Sequence, residues 1–218
     1  MKRFFSTKLW KHSFVYFLLP LLILTVILAV AGGGYLIYFR NFRKNPPPPP
    51  VSPLRNILRN GDVILRNGIG IWSESIRNCN RHDKRFSHIG IVWIKPDGDI
   101  SVIHSDTDDI SGNGKVAVVS LEKFVFESTD IGVLRLRNGD PEKFVGSAGK
   151  YLGRPFDYKF NSDDPSEIYC TELVALALRE TFPEAVLARY KNMILPEACI
   201  RSGYFTEIPL PPTAIKVK

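Results

Sequence analysis

Hydrophobic positions along the chain first mark one long apolar segment near the N-terminus. Residues 14–38 contain no charged side chain, and as a helix they would extend about 37 Å. That length spans a hydrocarbon core of about 30 Å with some tilt. The glycines at 32–34 disfavour a soluble helix but are tolerated within membranes. The pattern predicts a transmembrane anchor over 14–39, preceded by a basic flank over 1–13 and followed by a basic, proline-rich linker over 40–53.

A cleaved signal peptide is the alternative for this segment, because Ala29-Val30-Ala31 resembles a cleavage site. The apolar run continues past that site to Phe39, which favours an uncleaved anchor. Four basic residues precede the segment and three follow it, a difference that favours an N-terminus inside the cell. We therefore expect the following domain to be extracytoplasmic, on the periplasmic side of the membrane.

Shorter hydrophobic patterns in residues 54–218 predict one α+β domain. Runs rich in β-branched residues predict strands at 63–65, 87–94, 100–104, 116–119 and 132–137. Apolar residues at helical spacing predict helices at 73–80, 141–152 and 165–181, and a short helical turn at 54–59. Strands joined by turn residues indicate an antiparallel sheet, with helices at both ends of the domain.

Charge separates the same two parts of the chain. The chain has 29 Lys and Arg against 22 Asp and Glu, a net charge of +7. Residues 1–44 hold seven of the cations and no acidic residue, so residues 45–218 are neutral overall. A nucleic-acid-binding domain needs a surplus of cations on its own surface, and the neutral domain argues against that class. The membrane is the partner expected for the N-terminal segment.

The clearest chemical signal is the segment 169–174, with the sequence YCTELV. Cys170 lies near the start of a predicted helix, where the helix dipole favours a thiolate and lowers the pKa of a thiol. The segment Asp164-Pro165-Ser166-Glu167 matches a capping box, which would place Cys170 in the second turn. A cysteine on a helix is more commonly a core residue, so a catalytic role requires a base nearby. Glu172 lies beside the apolar stripe of this helix and is expected to be structural or solvating.

The candidate bases are His88 and His104, on neighbouring predicted strands. Pro96 and Gly98 suit a three-residue hairpin loop, with Gly98 in the left-handed position. That loop places His104 opposite Gly90 and puts His88 on the diagonal of the same face. Two imidazoles can close a diagonal of about 7 Å. A two- or four-residue loop would instead separate the histidines onto opposite faces.

Other interpretations of the cysteines and histidines involve no catalysis. Cys170, His88 and His104 could bind zinc, but they lack the short paired spacings typical of structural zinc sites. We therefore expect neither a metal nor an organic cofactor. Cys79 and Cys199 could form a disulfide in an extracytoplasmic domain, which would leave Cys170 free.

Four motifs occur in the order found in one known family. They are Gly61-Asp62-Val63-Ile64, the segment 86–92 (FSHIGIV), Phe156-Asp157-Tyr158 and the segment 169–174. Together they resemble the permuted papain-like cysteine hydrolases. These form the YiiX/YebB-like branch of the NlpC superfamily and are distant relatives of lecithin:retinol acyltransferase. The resemblance spans residues 58–182 and implies a circularly permuted papain-like fold, in which an antiparallel sheet packs on a cysteine-bearing helix.

The resemblance also implies roles for individual residues. Cys170 would be the nucleophile and His88 the base, while His104 would occupy the place of the third polar residue. A carboxylate is common at that place in this branch, so His104 departs toward the acyltransferase-like pattern. Asp106 is the competing group to orient His88. The family places its cysteine in the first helical turn, closer to the helix start than the capping box would.

These observations predict a membrane-anchored cysteine hydrolase that cleaves an amide or peptide bond through an acyl-enzyme. Cys170, His88 and His104 would form the triad, and the backbone N–H of Cys170 would stabilise the oxyanion. One alternative is a phospholipid acyl hydrolase or acyltransferase that uses the same thiol on a lipid acyl group, which the membrane tether favours. A second alternative is a non-catalytic binding module on the same fold.

Overall fold

The computed structural model describes residues 19–35, 47–69, 71–107 and 113–211, which belong to two compact units. In the first unit, residues 19–35 form a helix (α1) whose large apolar side chains are exposed. Within the described ranges, no helix is both long and apolar enough to cross a membrane. The flank over 1–13, both ends of the anchor over 14–39 and the first part of the linker lie outside these ranges. The anchor therefore stays a prediction.

The second unit, Pro46–Lys218, contains the remaining helices and the strands. Its strands are β1 (Val63–Gly68), β2 (His88–Ile94), β3 (Ile100–Asp106), β4 (Lys115–Ser120), β5 (Ser128–Leu136), β6 (Arg189–Tyr190), β7 (Met193–Ile194) and β8 (Phe205–Glu207). Its helices are α2 (Ser52–Arg55), α3 (Ile71–Cys79), α4 (Leu121–Phe126), α5 (Pro141–Gly149), α6 (Cys170–Thr181) and α7 (Pro196–Arg201). The predicted strands are confirmed, most of them with longer bounds, and the elements that were not predicted are α4, α7, β6, β7 and β8.

An antiparallel sheet of six strands forms the centre of this unit, in the order β4-β3-β2-β1-β5-β8. The hairpin between β2 and β3 has the predicted loop. The N–H of Lys95 donates to the carbonyl of Asp99 at 2.9 Å, and Gly98 has a φ of 85°. Ile91 pairs with Ile103, which is the register that the three-residue loop requires. The α+β class and the antiparallel sheet are thus confirmed.

Alternate residues of the strands contribute to two separate core clusters. One cluster joins the sheet to α5 and α6, and includes Val63, Leu65, Ile89, Ile91, Phe144 and Leu173. The other cluster joins the opposite face to α2 and α4, and includes Leu54, Ile64, Val92, Val102, Phe124 and Val133. Helices therefore cover both faces, and neighbouring residues of one strand face different helices.

Helix α6 begins at Cys170, so the predicted start at residue 165 is wrong. Tyr169 is the N-cap, and residues 165–169 are not helical. The carboxylate of Asp164 accepts the N–H of Ser166 at 3.0 Å, so it closes a turn and caps no helix. The placement implied by the family resemblance is the correct one, and Cys170 is the first helical residue.

Helix α4 covers only six residues, which is too short for an apolar periodicity to predict a helix. Ser120 caps its N-terminus, and the Ser120 hydroxyl accepts the N–H of Lys123 at 3.2 Å. The helix buries Leu121, Phe124 and Val125 against the sheet. This short element matters because Phe124 lies directly against the two histidines.

Candidate active site

His88 and His104 meet as the hairpin register predicts. His88 Nε2 lies 2.9 Å from His104 Nδ1, and the two rings are nearly perpendicular at 86°. Gly90 leaves the space for this contact. A Cβ at that position would lie 3.1 Å from His104 Cβ and 2.4 Å from Val102 Cγ1. The histidine pair thus depends on the hairpin loop and on the absence of a side chain at Gly90.

Both imidazoles are neutral at neutral pH. Burial lowers the pKa of His88 well below its usual value, and the negative charge of Asp106 only partly opposes this. Burial likewise lowers the pKa of His104 to about 4, again against the charge of Asp106. One neutral ring therefore donates its N–H to the other, and the 2.9 Å contact is a hydrogen bond.

Charged side chains that are buried or partly buried lie beside the histidine pair. Asp106 Oδ2 lies 3.7 Å from His104 Nδ1, 3.9 Å from His88 Nε2 and 2.6 Å from Arg66 Nη2. Arg66 also donates to Glu127 Oε2 at 2.8 Å. Burial raises the pKa of Asp106, but the interactions of Asp106 with the His88, Arg66 and His104 side chains outweigh this effect, so its pKa stays below the usual value. In this structure His104, and not Asp106, is the direct hydrogen-bond partner of His88.

Sequence reasoning missed Arg66 and Glu127. Arg66 follows Ile64 on the same face of β1, so it is a cation at a core-facing position of an apolar strand. The alternation of core-facing residues along β1 could have identified Arg66 as a buried cation with an acidic partner. Glu127 carries no comparable signal, because it is 61 residues away and joins Arg66 only through the tertiary fold.

Cys170 is buried, and its thiol is protonated at neutral pH. Burial raises the pKa of Cys170 to about 11, and the negative charge of Asp106 acts in the same direction. The backbone N–H groups of Ile89 and Thr171 and the Thr171 hydroxyl lie at the sulfur and lower the pKa of Cys170, but by less. The lowered pKa expected from the helix dipole is therefore not found, since desolvation outweighs the helix N-terminus.

The thiol and the histidine rings approach β2 from different sides. The rings of His88 and His104 pack on Phe124 of α4, with centroid distances of 5.7 and 5.4 Å. Cys170 belongs to the core cluster of α5 and α6, and its sulfur is met by the backbone of Ile89, the residue after His88. Among the described residues, no hydrogen bond joins the Cys170 thiol to either histidine. The three predicted site residues thus lie at one end of β2, with only the histidines in direct contact.

Glu172 has a structural position. It is 2% exposed, and its carboxylate accepts the backbone N–H of Tyr169, the N-cap of α6. Burial raises the pKa of Glu172 to about 7, with a further contribution from Asp157. The solvating role considered for Glu172 is therefore wrong, while the structural role is confirmed.

The cysteines form no disulfide in this structure. Cys79, Cys170 and Cys199 are all free thiols, and Cys199 is fully buried. The pairing of Cys79 with Cys199 that the sequence left open is therefore not formed. Burial raises the pKa of Cys199, so this thiol is unreactive in the folded chain.

A family model identifies the family of this chain, and a solved structure is similar to it in fold. The family described as permuted papain-like amidase enzyme, YaeF/YiiX, C92 family, matches residues 57–197. The crystal structure of metalloprotein YiiX from Escherichia coli O157:H7 is similar, with a TM-score of 0.58 and 17% identity. That similarity covers 70% of this chain and 97% of the YiiX chain, and at this identity it shows the fold alone. A search of curated proteins gives no match.

Proposed function

Because the chain belongs to the permuted papain-like amidase family, we propose that it is a cysteine hydrolase with Cys170 as its nucleophile. The observation that carries the proposal is the hydrogen-bonded pair of His88 and His104 beside a thiol at the first residue of a helix. A nucleophile, a base and a group that orients the base are the parts that this chemistry needs.

The proposed first step starts from a neutral thiol and a neutral imidazole. His104 engages Nε2 of His88, so Nδ1 is the His88 nitrogen that takes the thiol proton. The sulfur forms a bond to the substrate carbonyl carbon as the proton moves to His88. The backbone N–H of Cys170 has no partner within the helix at this position, and it stabilises the developing oxyanion.

The remaining steps return the enzyme to its starting state. His88 delivers its proton to the leaving amine, the carbon–nitrogen bond breaks and a thioester forms on Cys170. A water molecule then attacks the thioester, with His88 as its base, and the acid product leaves with regeneration of the thiol. Through both steps His104 holds the His88 ring in one tautomer and one orientation.

The mechanism requires an approach between Cys170 and His88. The thiol makes no hydrogen bond to either histidine in this resting structure, considered over the described residues. Catalytic hydrogen bonds often tighten only once substrate is bound, and the proposal requires the Cys170 side chain to turn from the Ile89 amide toward the His88 ring. Substrate binding at the start of β2 is therefore part of the proposal.

The exposed apolar side chains of α1 support a membrane location. Leu22, Leu28 and Val30 are between 62% and 71% exposed, and residues 19–35 include no charged side chain. We propose that this segment anchors the domain on the extracytoplasmic side. The same tether favours a second candidate function, a lipid acyl hydrolase or acyltransferase that uses Cys170.

Trapping of the acyl-enzyme tests the proposal. The full chain in detergent is incubated with aminoacyl or peptide amides and, separately, with phospholipid vesicles, then quenched in acid and digested for mass spectrometry. An acyl group on the Cys170 peptide is expected in wild type and absent in Cys170→Ala. Cys79→Ser is the matched control, because it removes the cysteine that is partly exposed and keeps the adduct.

The outcomes separate the candidate functions. An adduct from amides alone supports the amidase, and an adduct from vesicles alone supports the lipid acyl hydrolase or acyltransferase. An adduct that persists in Cys170→Ala contradicts the assignment of the nucleophile. Absence of any adduct and of turnover with both substrate classes favours the non-catalytic binding module.

A further inference from the structure

We propose that His88, His104 and Asp106 form a binding site for a zinc ion. The three donor atoms are His88 Nε2, His104 Nδ1 and Asp106 Oδ2, and they lie 2.9, 3.7 and 3.9 Å from one another. The point equidistant from these atoms is about 2.1 Å from each, which is the usual length of Zn–N and Zn–O bonds. The donors therefore already surround a position of the right size for the ion.

The backbone explains why these three donors converge. His104 and Asp106 are two residues apart on β3, so their side chains leave the same face of the strand. His88 reaches them on the diagonal from β2, across the space that Gly90 leaves open. Two strands of one hairpin thus hold the donor set, so its geometry does not depend on a mobile loop.

The chemistry of the donor set fits zinc. Two imidazole nitrogens and one carboxylate oxygen are donors that zinc accepts, and three protein ligands leave a fourth position for water or substrate. This set differs from the one considered at the sequence level, because Asp106 replaces Cys170. The Cys170 thiol is in contact with backbone N–H groups and the Thr171 hydroxyl, and it is not one of the three donors.

The surrounding charges suit a cation. Arg66 donates to the same Asp106 oxygen at 2.6 Å, but its charge is shared with Glu127 at 2.8 Å. Two carboxylates against one guanidinium leave one negative charge in contact with the histidines, and the ammonium of Lys123 acts on His104 in the opposite sense. A hydrogen bond from Arg66 also fixes the orientation of Asp106, as outer partners of metal ligands commonly do. The Asp106 side chain is 29% exposed, so the ion has a path from solvent.

Zinc and the resting histidine contact exclude each other. The ion would bind the two nitrogens, Nε2 of His88 and Nδ1 of His104, that are now joined by a hydrogen bond. If the proposed hydrolase function holds, zinc would remove His104 from His88 and inhibit turnover, and this part of the inference rests on that function. Zinc binding itself does not rest on it.

Calorimetric titration of zinc into the full chain tests the site. The chain carries no histidine tag and is first freed of metal with a chelator. We expect one ion per chain, confirmed by elemental analysis after dialysis, and a rise in the thermal midpoint of the domain. His104→Ala and Asp106→Asn are expected to weaken binding by at least about 100-fold and about 10-fold respectively.

Two control variants make the test specific. His82→Ala removes an exposed histidine outside the cluster and leaves binding unchanged. Cys170→Ala also leaves binding unchanged, although it abolishes the proposed turnover. Circular dichroism of each variant without metal establishes that it is folded, so a loss of binding reports on the ligands.

The outcomes distinguish this inference from the proposed function. No binding by a wild-type chain that hydrolyses substrate overturns the zinc site alone. Binding by a wild-type chain that never acylates Cys170 supports the site and leaves the hydrolase without support. Binding that survives His104→Ala, or that is lost in Cys170→Ala, contradicts the proposed ligands.

Discussion

The two faces of the sheet at the start of β2 have opposite chemical character. The face toward α4 holds Arg66, Asp106 and the two histidines, all buried or partly buried and joined by hydrogen bonds or close ionic contacts. The face toward α6 is largely apolar around Cys170, and its polar contacts to the thiol come from backbone N–H groups and the Thr171 hydroxyl. Adjacent residues of a single strand, His88 and Ile89, belong to these two environments.

This difference shows how one strand can keep the proposed nucleophile and its proposed base in separate surroundings. Burial in an apolar cluster keeps the Cys170 thiol protonated, while the charged group on the other face orients neutral imidazoles. Each face should therefore respond to its own kind of perturbation. The polar face should depend on charge pairing and pH, and the apolar face on packing volume.

Removal of the buried cation is the largest expected perturbation of the polar face. Arg66→Met leaves Asp106 and Glu127 without their partner, and we expect a loss of about 3 to 5 kcal/mol in unfolding free energy. Urea denaturation followed by circular dichroism measures it. Arg55→Met is the matched control, since its pair with Glu122 is exposed and worth under about 1 kcal/mol. Equal losses in the two variants would contradict the distinction between the faces.

Removal of the orienting imidazole should affect catalysis more than folding. His104→Ala is expected to lower kcat/KM by about 10²- to 10³-fold, because His88 loses the partner that holds its ring. Asp106→Asn should cost only about 10-fold, since Asp106 lies 3.9 Å from His88. Steady-state kinetics on the substrate class that acylates Cys170 measures both. The reverse order of effects would make Asp106 the orienting group.

Acid should destabilise the polar face selectively. The pKa of folded His104 is about 4, against about 6.5 in an unfolded chain, so the unfolded state binds more protons between these values. Stability is then complete above pH 6.5 and falls as the pH drops toward 4, by an amount on the order of 3 kcal/mol. Urea midpoints measured across this range test the prediction. His104→Asn should reduce the slope without abolishing it, because burial also lowers the pKa of His88 and that imidazole acts in the same direction. An unchanged slope would refute the assignment to His104.

Addition of a methyl group at Gly90 tests the space between the two histidines, with a smaller expected loss of stability than the substitutions above. Gly90→Ala would place a Cβ 2.4 Å from Val102 Cγ1 and 3.1 Å from His104 Cβ. We expect a loss of about 1 to 3 kcal/mol and a displaced His104, visible as a lower kcat/KM. Gly146→Ala in α5 is the control, because nothing lies within 4 Å of its Cβ and helix propensity favours alanine. A neutral Gly90→Ala would contradict the tight contact.

The histidine pair was predictable because it depends on local geometry. Pro96 and Gly98 define the loop, the loop defines the register, and the register places His88 and His104 on one face. The start of α6 was mispredicted from local sequence, because Asp164 satisfies a turn at Ser166 instead of a helix. The family resemblance corrected it, since that resemblance carries information on tertiary structure.

The chemistry of the thiol and the charged group could not be predicted from local patterns. The pKa of Cys170 depends on how completely the packing of α6 buries the thiol. The position of Cys170 at the start of a helix indicates only the effect of the helix dipole, which acts on the pKa in the opposite direction. The pairing of Arg66 with Glu127 joins residues 61 positions apart. Both features arise from packing between distant segments, which no short pattern encodes.

The hairpin also determines the order in which the site can assemble during folding. His88 and His104 are 16 residues apart, and hairpins of this kind form within about 1 to 10 μs. The start of α6 docks through contacts such as Ser105 to the carbonyl of Ile168, across 63 residues of chain. Closing that longer loop costs more entropy and comes later. A partly folded chain thus carries the proposed base before it carries the proposed nucleophile, and the proposed site is complete only when α6 docks.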